Sequence, residues 1–172
     1  MQRRLLHRPF LPTACVAAAI LLGACAGNHN YIAGTKIEQS DENQRVVRRV
    51  EEYRAAVEQK DTATLMLMAS REYWEDSGTP TGEDDYGFAG LQDVLRTRFQ
   101  LAESIRYSMR YKRIRIVPEN ANEPAKAFVD VLIDASFTIP DGRGNLRRTD
   151  KRDHGQFVLE WRDGKWLFLS GM

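Results

Sequence analysis

The stretch at residues 157–172, FVLEWRDGKWLFLSGM, predicts a tight β-hairpin and constrains the fold more than any other part of the sequence. Two apolar runs flank Asp163-Gly164, a dipeptide that readily adopts the positive φ values of a two-residue turn. Pairing outward from this turn gives the hairpin two faces. One face has Trp161 opposite Trp166, Leu159 opposite Phe168 and Phe157 opposite Ser170. The other face has Glu160 opposite Leu167 and Val158 opposite Leu169. The first face carries two Trp and two Phe side chains, which a small domain must bury or use as the wall of a pocket.

The N-terminal residues have the layout of a bacterial export signal. A basic start at Arg3, Arg4 and Arg8 precedes an apolar run at residues 13–24, which is long enough for a signal-peptide core and too short to span a bilayer. The run ends in LGAC at residues 22–25, which resembles the lipobox at which lipoproteins are cleaved and lipidated. We therefore predict a signal peptide at residues 1–24 and a lipid anchor on Cys25, the alternative being an ordinary signal with a chance cysteine.

This anchor would place the protein in the cell envelope, attached to the membrane on the periplasmic side. Ala26 follows the cysteine where an aspartate would indicate retention at an inner membrane, so the outer membrane is favoured. Residues 25–39 form the predicted tether. Beyond Cys25 the chain has no cysteine, which excludes disulfides, Cys nucleophiles and Cys-ligated metals. Loss of three arginines with the signal leaves 22 basic against 24 acidic residues, so charge does not indicate nucleic-acid binding.

The remaining length suits one domain, which begins with three predicted helices. Asp41, with Gln44 three residues later, resembles a capping box, and apolar residues follow at helical spacing from Val46 to Val57. Asp61 can cap a second helix that ends near residue 69 and places its Leu and Met residues at 65–68 in the core. A third helix is predicted over residues 88–103, whereas residues 71–76 fit either a helix end or a short strand.

From residue 105 onward the apolar residues alternate, which predicts strands. The alternation slips by one residue after Lys112-Arg113, as a β-bulge would produce. Residues 125–139 form the longest predicted strand, with one apolar face made of Ala127, Val129, Val131, Ile133, Ala135 and Phe137. Residues 140–145 turn the chain, and the return strand begins with a charged segment that is expected to project beyond the helices.

Three helices followed by a bulged antiparallel sheet and a terminal F-V-L-E-W-x-D-G-K-W hairpin resemble the nuclear transport factor 2-like superfamily, with its SnoaL-like and ketosteroid-isomerase-like domains. The matching residues are Tyr53, Ala56, Lys60 and Asp61 in the helical pair, and Phe157, Leu159, Asp163, Gly164 and Trp166 in the hairpin. The resemblance implies an α+β fold over residues 40–172. In this fold, three N-terminal helices pack on a strongly curved antiparallel sheet of four to five strands to form a cone, and dimers often form through the open sheet face.

Asp130 and His154 are the candidate catalytic residues. A carboxylate on the mixed face of the long strand could act as a general base if a dry cone raised its pKa, and His154 is the only histidine after the tether. The alternatives are an outer-face carboxylate paired with a neighbouring cation (Lys126, Lys151 or Arg152) and a solvent-facing histidine. A lone histidine cannot build a metal site, so no metal or cofactor is predicted.

Six aromatic side chains are numerous enough to line an apolar ligand pocket: Tyr73, Trp74, Tyr107, Tyr111, Trp161 and Trp166. Packing in the core is the alternative. The leading functional hypothesis is a non-catalytic domain that binds a partner protein or a small hydrophobic ligand in the envelope. The alternative is a lyase or isomerase of the SnoaL or ketosteroid type that acts on a small hydrophobic substrate.

Overall fold

The computed structural model of the chain describes residues 30–172, so the predicted signal peptide and Cys25 lie outside the described residues. Among residues 30–172, no helix is both long enough and apolar enough to cross a bilayer. Ile37 in the predicted tether is buried, and an antiparallel bridge joins Tyr31 to Glu38. Part of the predicted tether therefore packs on the domain.

Three helices and two antiparallel sheets make up the domain. The helices are α1 (Asp41–Glu58), α2 (Thr62–Met68) and α3 (Phe88–Leu101). Two short strands, β1 (Trp74–Glu75) and β2 (Tyr86–Gly87), pair with each other. The main sheet has the order β3-β4-β5-β6, formed by β3 (Ser104–Val117), β4 (Lys126–Pro140), β5 (Leu146–Arg162) and β6 (Lys165–Ser170). The predicted α+β class is confirmed, with four strands in the curved sheet.

The helix caps differ in part from the prediction. Ser40, and not Asp41, is the N-cap of α1, because Ser40 has extended backbone and its hydroxyl accepts a hydrogen bond from the backbone N–H of Asn43 at 3.1 Å. Asp61 caps α2 as predicted, since its carboxylate accepts a bond from the N–H of Thr64 at 3.0 Å. The ambiguous segment at residues 71–76 contains β1.

The concave face of the sheet is the predicted apolar face. The register of β3 against β4 shifts between Tyr111 and Arg113, where the sequence predicts a bulge. Five of the six predicted inward residues of β4 belong to the core or pack against it, together with Tyr53 of α1 and Phe157 and Phe168 of the terminal hairpin, and the sixth, Ala135, is also buried. The rings of Tyr53 and Phe157, and those of Tyr53 and Phe168, have centroids 5.2 Å apart. An aromatic cluster therefore joins α1 to the end of the chain.

The terminal hairpin has the predicted turn but a different register beyond it. Asp163 and Gly164 both have positive φ, and Trp161 faces Trp166, Leu159 faces Phe168 and Glu160 faces Leu167 as predicted. Val158, and not Phe157, faces Ser170, because Leu169 is an extra residue in β6. The bulge brings Gly171, at φ +93°, against the carbonyl oxygen of Gln156, where a Cβ atom would collide.

Candidate ligand cavity

A cavity of about 240 Å³ lies on the concave side of the sheet, between α1, α3 and strands β3 to β5. Most of its wall is apolar and comes from Val57, Leu95, Phe99, Ile105, Ile133, Ala135, Phe137 and Met172. The phenols of Tyr53 and Tyr107 also border it, as do three charged side chains: Arg98, Lys151 and Asp153. His154, Gly155 and Gly171 make up the remainder of the lining. All three charged residues are exposed, so they mark the mouth of the cavity.

The cavity exists because the strands continue past the end of α1. The helix ends at Glu58, whose carboxylate accepts the backbone N–H of Tyr107 at 2.8 Å and a bond from Arg54 at 2.7 Å. Beyond the end of α1, the cavity is bordered by inward positions of β4 and β5 and by three residues of α3: Leu95, Arg98 and Phe99. Gly155 leaves room for Ile133, whose Cδ1 lies 3.0 Å from where a Cβ on that glycine would be.

Two tyrosines supply the neutral polar groups of the cavity. The rings of Tyr53 and Tyr107 meet edge to face, with centroids 6.1 Å apart. Burial raises the pKa of Tyr53 well above its ordinary value, and the adjacent Tyr107 phenol raises it further. Burial also raises the pKa of Tyr107. Both phenols are therefore protonated at neutral pH. The Tyr53 hydroxyl donates to Tyr107, so the Tyr107 hydroxyl is the one of the two that can donate a hydrogen bond to a ligand.

The carboxylate at the mouth is ionised and already has partners. Asp153 lies 3.1 Å from the Lys151 ammonium, and its carboxylate accepts the backbone N–H of His154 at 2.8 Å. These two contacts, the lysine first, lower the pKa of Asp153 below its ordinary range. A carboxylate with a lowered pKa is a weak proton acceptor at neutral pH.

The structure does not bring Asp130 and His154 together in the cavity. Asp130 lies on the convex outer face, where it accepts a hydrogen bond from Gln156 at 2.6 Å and forms an ion pair with Arg113 at 2.8 Å. These contacts lower its pKa, which is the opposite of what a general base at neutral pH requires. His154 borders the cavity, but it is exposed and pairs with Leu132, and alternation along β5 directs its side chain to the outer face.

The six predicted pocket aromatics lie in separate places, and Tyr107 alone among them lines this cavity. Tyr73 is buried and donates to Glu75 at 2.6 Å, Trp74 is 56% exposed, and Tyr111 donates to Glu51 at 2.8 Å. Trp161 and Trp166 pack against each other with ring centroids 5.3 Å apart, at a separate surface depression. These side chains do not form a single pocket.

Sequence reasoning missed the three charged residues at the mouth. The sequence contained a signal for two of them. Lys151 and Asp153 are separated from the inward-facing Phe157 by an even number of positions in the same strand, so they lie on the same face of the sheet. Arg98 carried no such signal, since its place at the mouth depends on how α3 packs. Within residues 30–172, no group of three or more His, Cys, Asp or Glu side chains is arranged to hold a metal ion.

Comparison with known proteins gives a fold but no closer relationship. No family model matches the sequence. No curated protein matches it either. Many solved structures are similar, among them a conserved protein from Planctomyces limnophilus, with a TM-score of 0.62 and 14% identity over 75% of this chain and 91% of that chain.

Two other neighbours carry provisional enzyme names. One is provisionally named a scytalone dehydratase, from Novosphingobium aromaticivorans, with a TM-score of 0.56 and 17% identity over 75% of this chain and 80% of that chain. The other is provisionally named a dehydratase of the nuclear transport factor 2-like family, from Streptomyces avermitilis, with a TM-score of 0.54 and 14% identity over 74% of this chain and 92% of that chain. The fold is therefore nuclear transport factor 2-like, and identities this low show the fold alone.

Proposed function

We propose that this domain binds a small, mainly apolar ligand in the cavity without converting it, and that Cys25 anchors the chain to a membrane of the cell envelope. The observation that carries the proposal is the cavity of about 240 Å³ with an apolar wall and two protonated phenols. Such a combination, apolar surface with a few polar groups that fix orientation, is typical of small-molecule sites.

The size of the cavity limits the ligand. Its volume of about 240 Å³ is larger than the ~150 Å³ engineered cavity that holds benzene. It is slightly smaller than the roughly 300–1,000 Å³ of sites for drug-sized molecules. We therefore expect a ligand of one or two fused rings, or an aliphatic chain of similar volume.

Binding is favoured over acid–base catalysis by the state of the carboxylate at the mouth. Asp153 is the one side-chain carboxylate among the described residues that line the cavity, and its pKa is lowered. The alternative, a lyase or isomerase of the dehydratase type, draws support from the two phenols and from the names of two structural neighbours. It requires another proton acceptor, or Asp153 freed from Lys151.

Filling the cavity is expected to abolish ligand binding. Ala135 lines the cavity from β4, so Ala135→Leu should weaken binding of naphthalene-sized compounds at least tenfold. Ser136→Leu adds the same side chain on the opposite face and is the matched control. Binding is measured by titration of the methyl NMR signals of Ile105 and Ile133, both of which border the cavity. Thermal melting of each variant checks that the fold is kept.

Two outcomes would contradict the proposal. Equal effects of Ala135→Leu and Ser136→Leu, or no compound that shifts the two isoleucine signals, would remove the cavity as a binding site. Conversion of a bound compound into a new species during the titration would reject the non-catalytic role. In that event Asp153→Asn and Tyr107→Phe identify whether the mouth carboxylate or the phenol takes part.

The lipid anchor has a separate test. Cys25→Ser removes the only thiol that could accept the lipid after the predicted cleavage site. We expect the protein to move from the membrane fraction to the soluble fraction and to lose incorporation of radiolabelled fatty acid, because two or more acyl chains are what hold such a protein stably in a bilayer. Retention of the serine variant in membranes at the level of the unaltered protein would exclude the anchor.

A further inference from the structure

We infer that the ligand of the cavity carries a carboxylate, which binds the guanidinium of Arg98 at the mouth. This inference rests on the proposed function, since it names the chemical class of ligand for the same cavity. It follows from the positions of the charged side chains around the opening and from the apolar character of the wall behind them.

Arg98 is the cation at the mouth that has no carboxylate partner within the described part of the chain. It lies in the last turn of α3, it is exposed, and it borders the cavity beside the phenols of Tyr53 and Tyr107. Lys151, the other cation there, is already paired with Asp153 at 3.1 Å. Among these three side chains, Lys151 and Asp153 form an ion pair, which leaves Arg98 as the unpaired positive charge.

Two acidic residues, Asp84 and Asp93, lie in a neighbouring surface depression that Arg98 also lines, without forming an ion pair with it. The carboxylate of Asp84 instead accepts the hydroxyl of Thr79. Arg98 donates a hydrogen bond to the phenol of Tyr86, and its guanidinium has further N–H groups for a carboxylate that arrives from solvent.

A monocarboxylate with a compact ring system matches this arrangement. Its rings would pack between Phe99 of α3 and Phe137 and Ile133 of β4, while its carboxylate remains at the exposed mouth. An arginine can hold a carboxylate through two parallel hydrogen bonds, which makes it a stronger and more directional partner than a lysine. The carboxylate thus avoids the cost of full burial, because it stays at the water-exposed edge.

The test compares two probes that differ in charge and share a ring system, 2-naphthoate and 2-naphthalenemethanol. Both are titrated into the full-length chain in detergent at neutral pH and low salt, with the methyl signals of Ile105 and Ile133 as the readout. We expect naphthoate to bind about tenfold more tightly than the alcohol, and Arg98→Gln to bring this ratio close to one. Arg96→Gln, in the same helix and not bordering the cavity, should leave the ratio unchanged. Partitioning into detergent cancels when one probe's affinity is compared between variants, and the two probes are compared with each other at their measured free concentrations.

The possible results distinguish a failure of this inference from a failure of the proposed binding function. If both probes bind the unaltered chain equally well, the cavity is a ligand site and the carboxylate preference is rejected. If the preference survives Arg98→Gln and disappears in Lys151→Gln, the role of Arg98 is rejected. If neither probe shifts the isoleucine signals, the proposed binding function and the inference fall together.

Discussion

Replacing Leu65 with alanine is expected to lower the free energy of unfolding by about 3 to 5 kcal/mol. Leu65 lies in α2 and is fully buried in the main core. Its removal takes apolar atoms out of a packed environment and leaves a cavity that the surrounding strands and helices can close only in part. The loss is a large share of the roughly 5 to 15 kcal/mol that stabilises a typical domain.

Leu67 in the same helix is the matched control, because its side chain is 74% exposed. Leu67→Ala should change the free energy of unfolding by less than about 0.5 kcal/mol. The free energy of unfolding of both variants is measured by urea unfolding with fluorescence detection. The slope of this free energy against urea concentration should be the same in both variants, so that a change in the midpoint reports a change in stability. Similar losses for the two leucines would mean that α2 packs on the domain through a different face.

Replacing Glu160 with alanine is expected to cost about 2 to 4 kcal/mol, although a surface glutamate would cost almost nothing. Glu160 is 1% exposed and accepts the hydroxyl of Ser70 at 2.5 Å and the guanidinium of Arg162 at 2.9 Å. Through Ser70 it connects β5 to the segment that follows α2. Truncation would leave the Ser70 hydroxyl without its acceptor and would open a void.

Glu160→Gln separates the contribution to stability of this side chain's shape from that of its charge. The amide oxygen can still accept the Ser70 hydroxyl, so we expect the glutamine variant to lose less than half as much stability as the alanine variant. Urea unfolding of Glu160→Ala, Ser70→Ala and the double variant gives the coupling between the two residues. Additive losses would show that the hydrogen bond between Ser70 and Glu160 contributes nothing to stability.

The sequence predicted the sheet well because strand alternation is a local property. The inward face of β4, the bulge near Lys112 and the turn at Asp163-Gly164 each follow from a few neighbouring residues. The register beyond the turn was wrong by one residue at Phe157. A bulge at Leu169 depends on how the chain end packs against β5, and no local pattern reveals that packing.

The candidate site was harder to predict than the fold. Strand alternation placed Asp130 on the face opposite to Val129 and Val131, but only the position of the helices decides which face becomes the inside of the cone. The same limit applies to the aromatic residues, since Trp74 and Tyr73 are neighbours in sequence and yet one is exposed and the other buried. Arg98 reaches the mouth of the cavity through the placement of α3, which the sequence does not encode locally.

The contacts between the N-terminal helical region and the terminal hairpin have a consequence for how the chain folds. Arg49 of α1 donates to the backbone carbonyl of Trp166, which lies 117 positions later, and Ser70 and Glu160 are 90 positions apart. Contacts between such distant residues require closure of long loops before they contribute stability, and they slow the search for the native state. We therefore expect refolding on the millisecond-to-second timescale and no independent stability of residues 40–103, because their apolar faces have no partner until the last strand is in place.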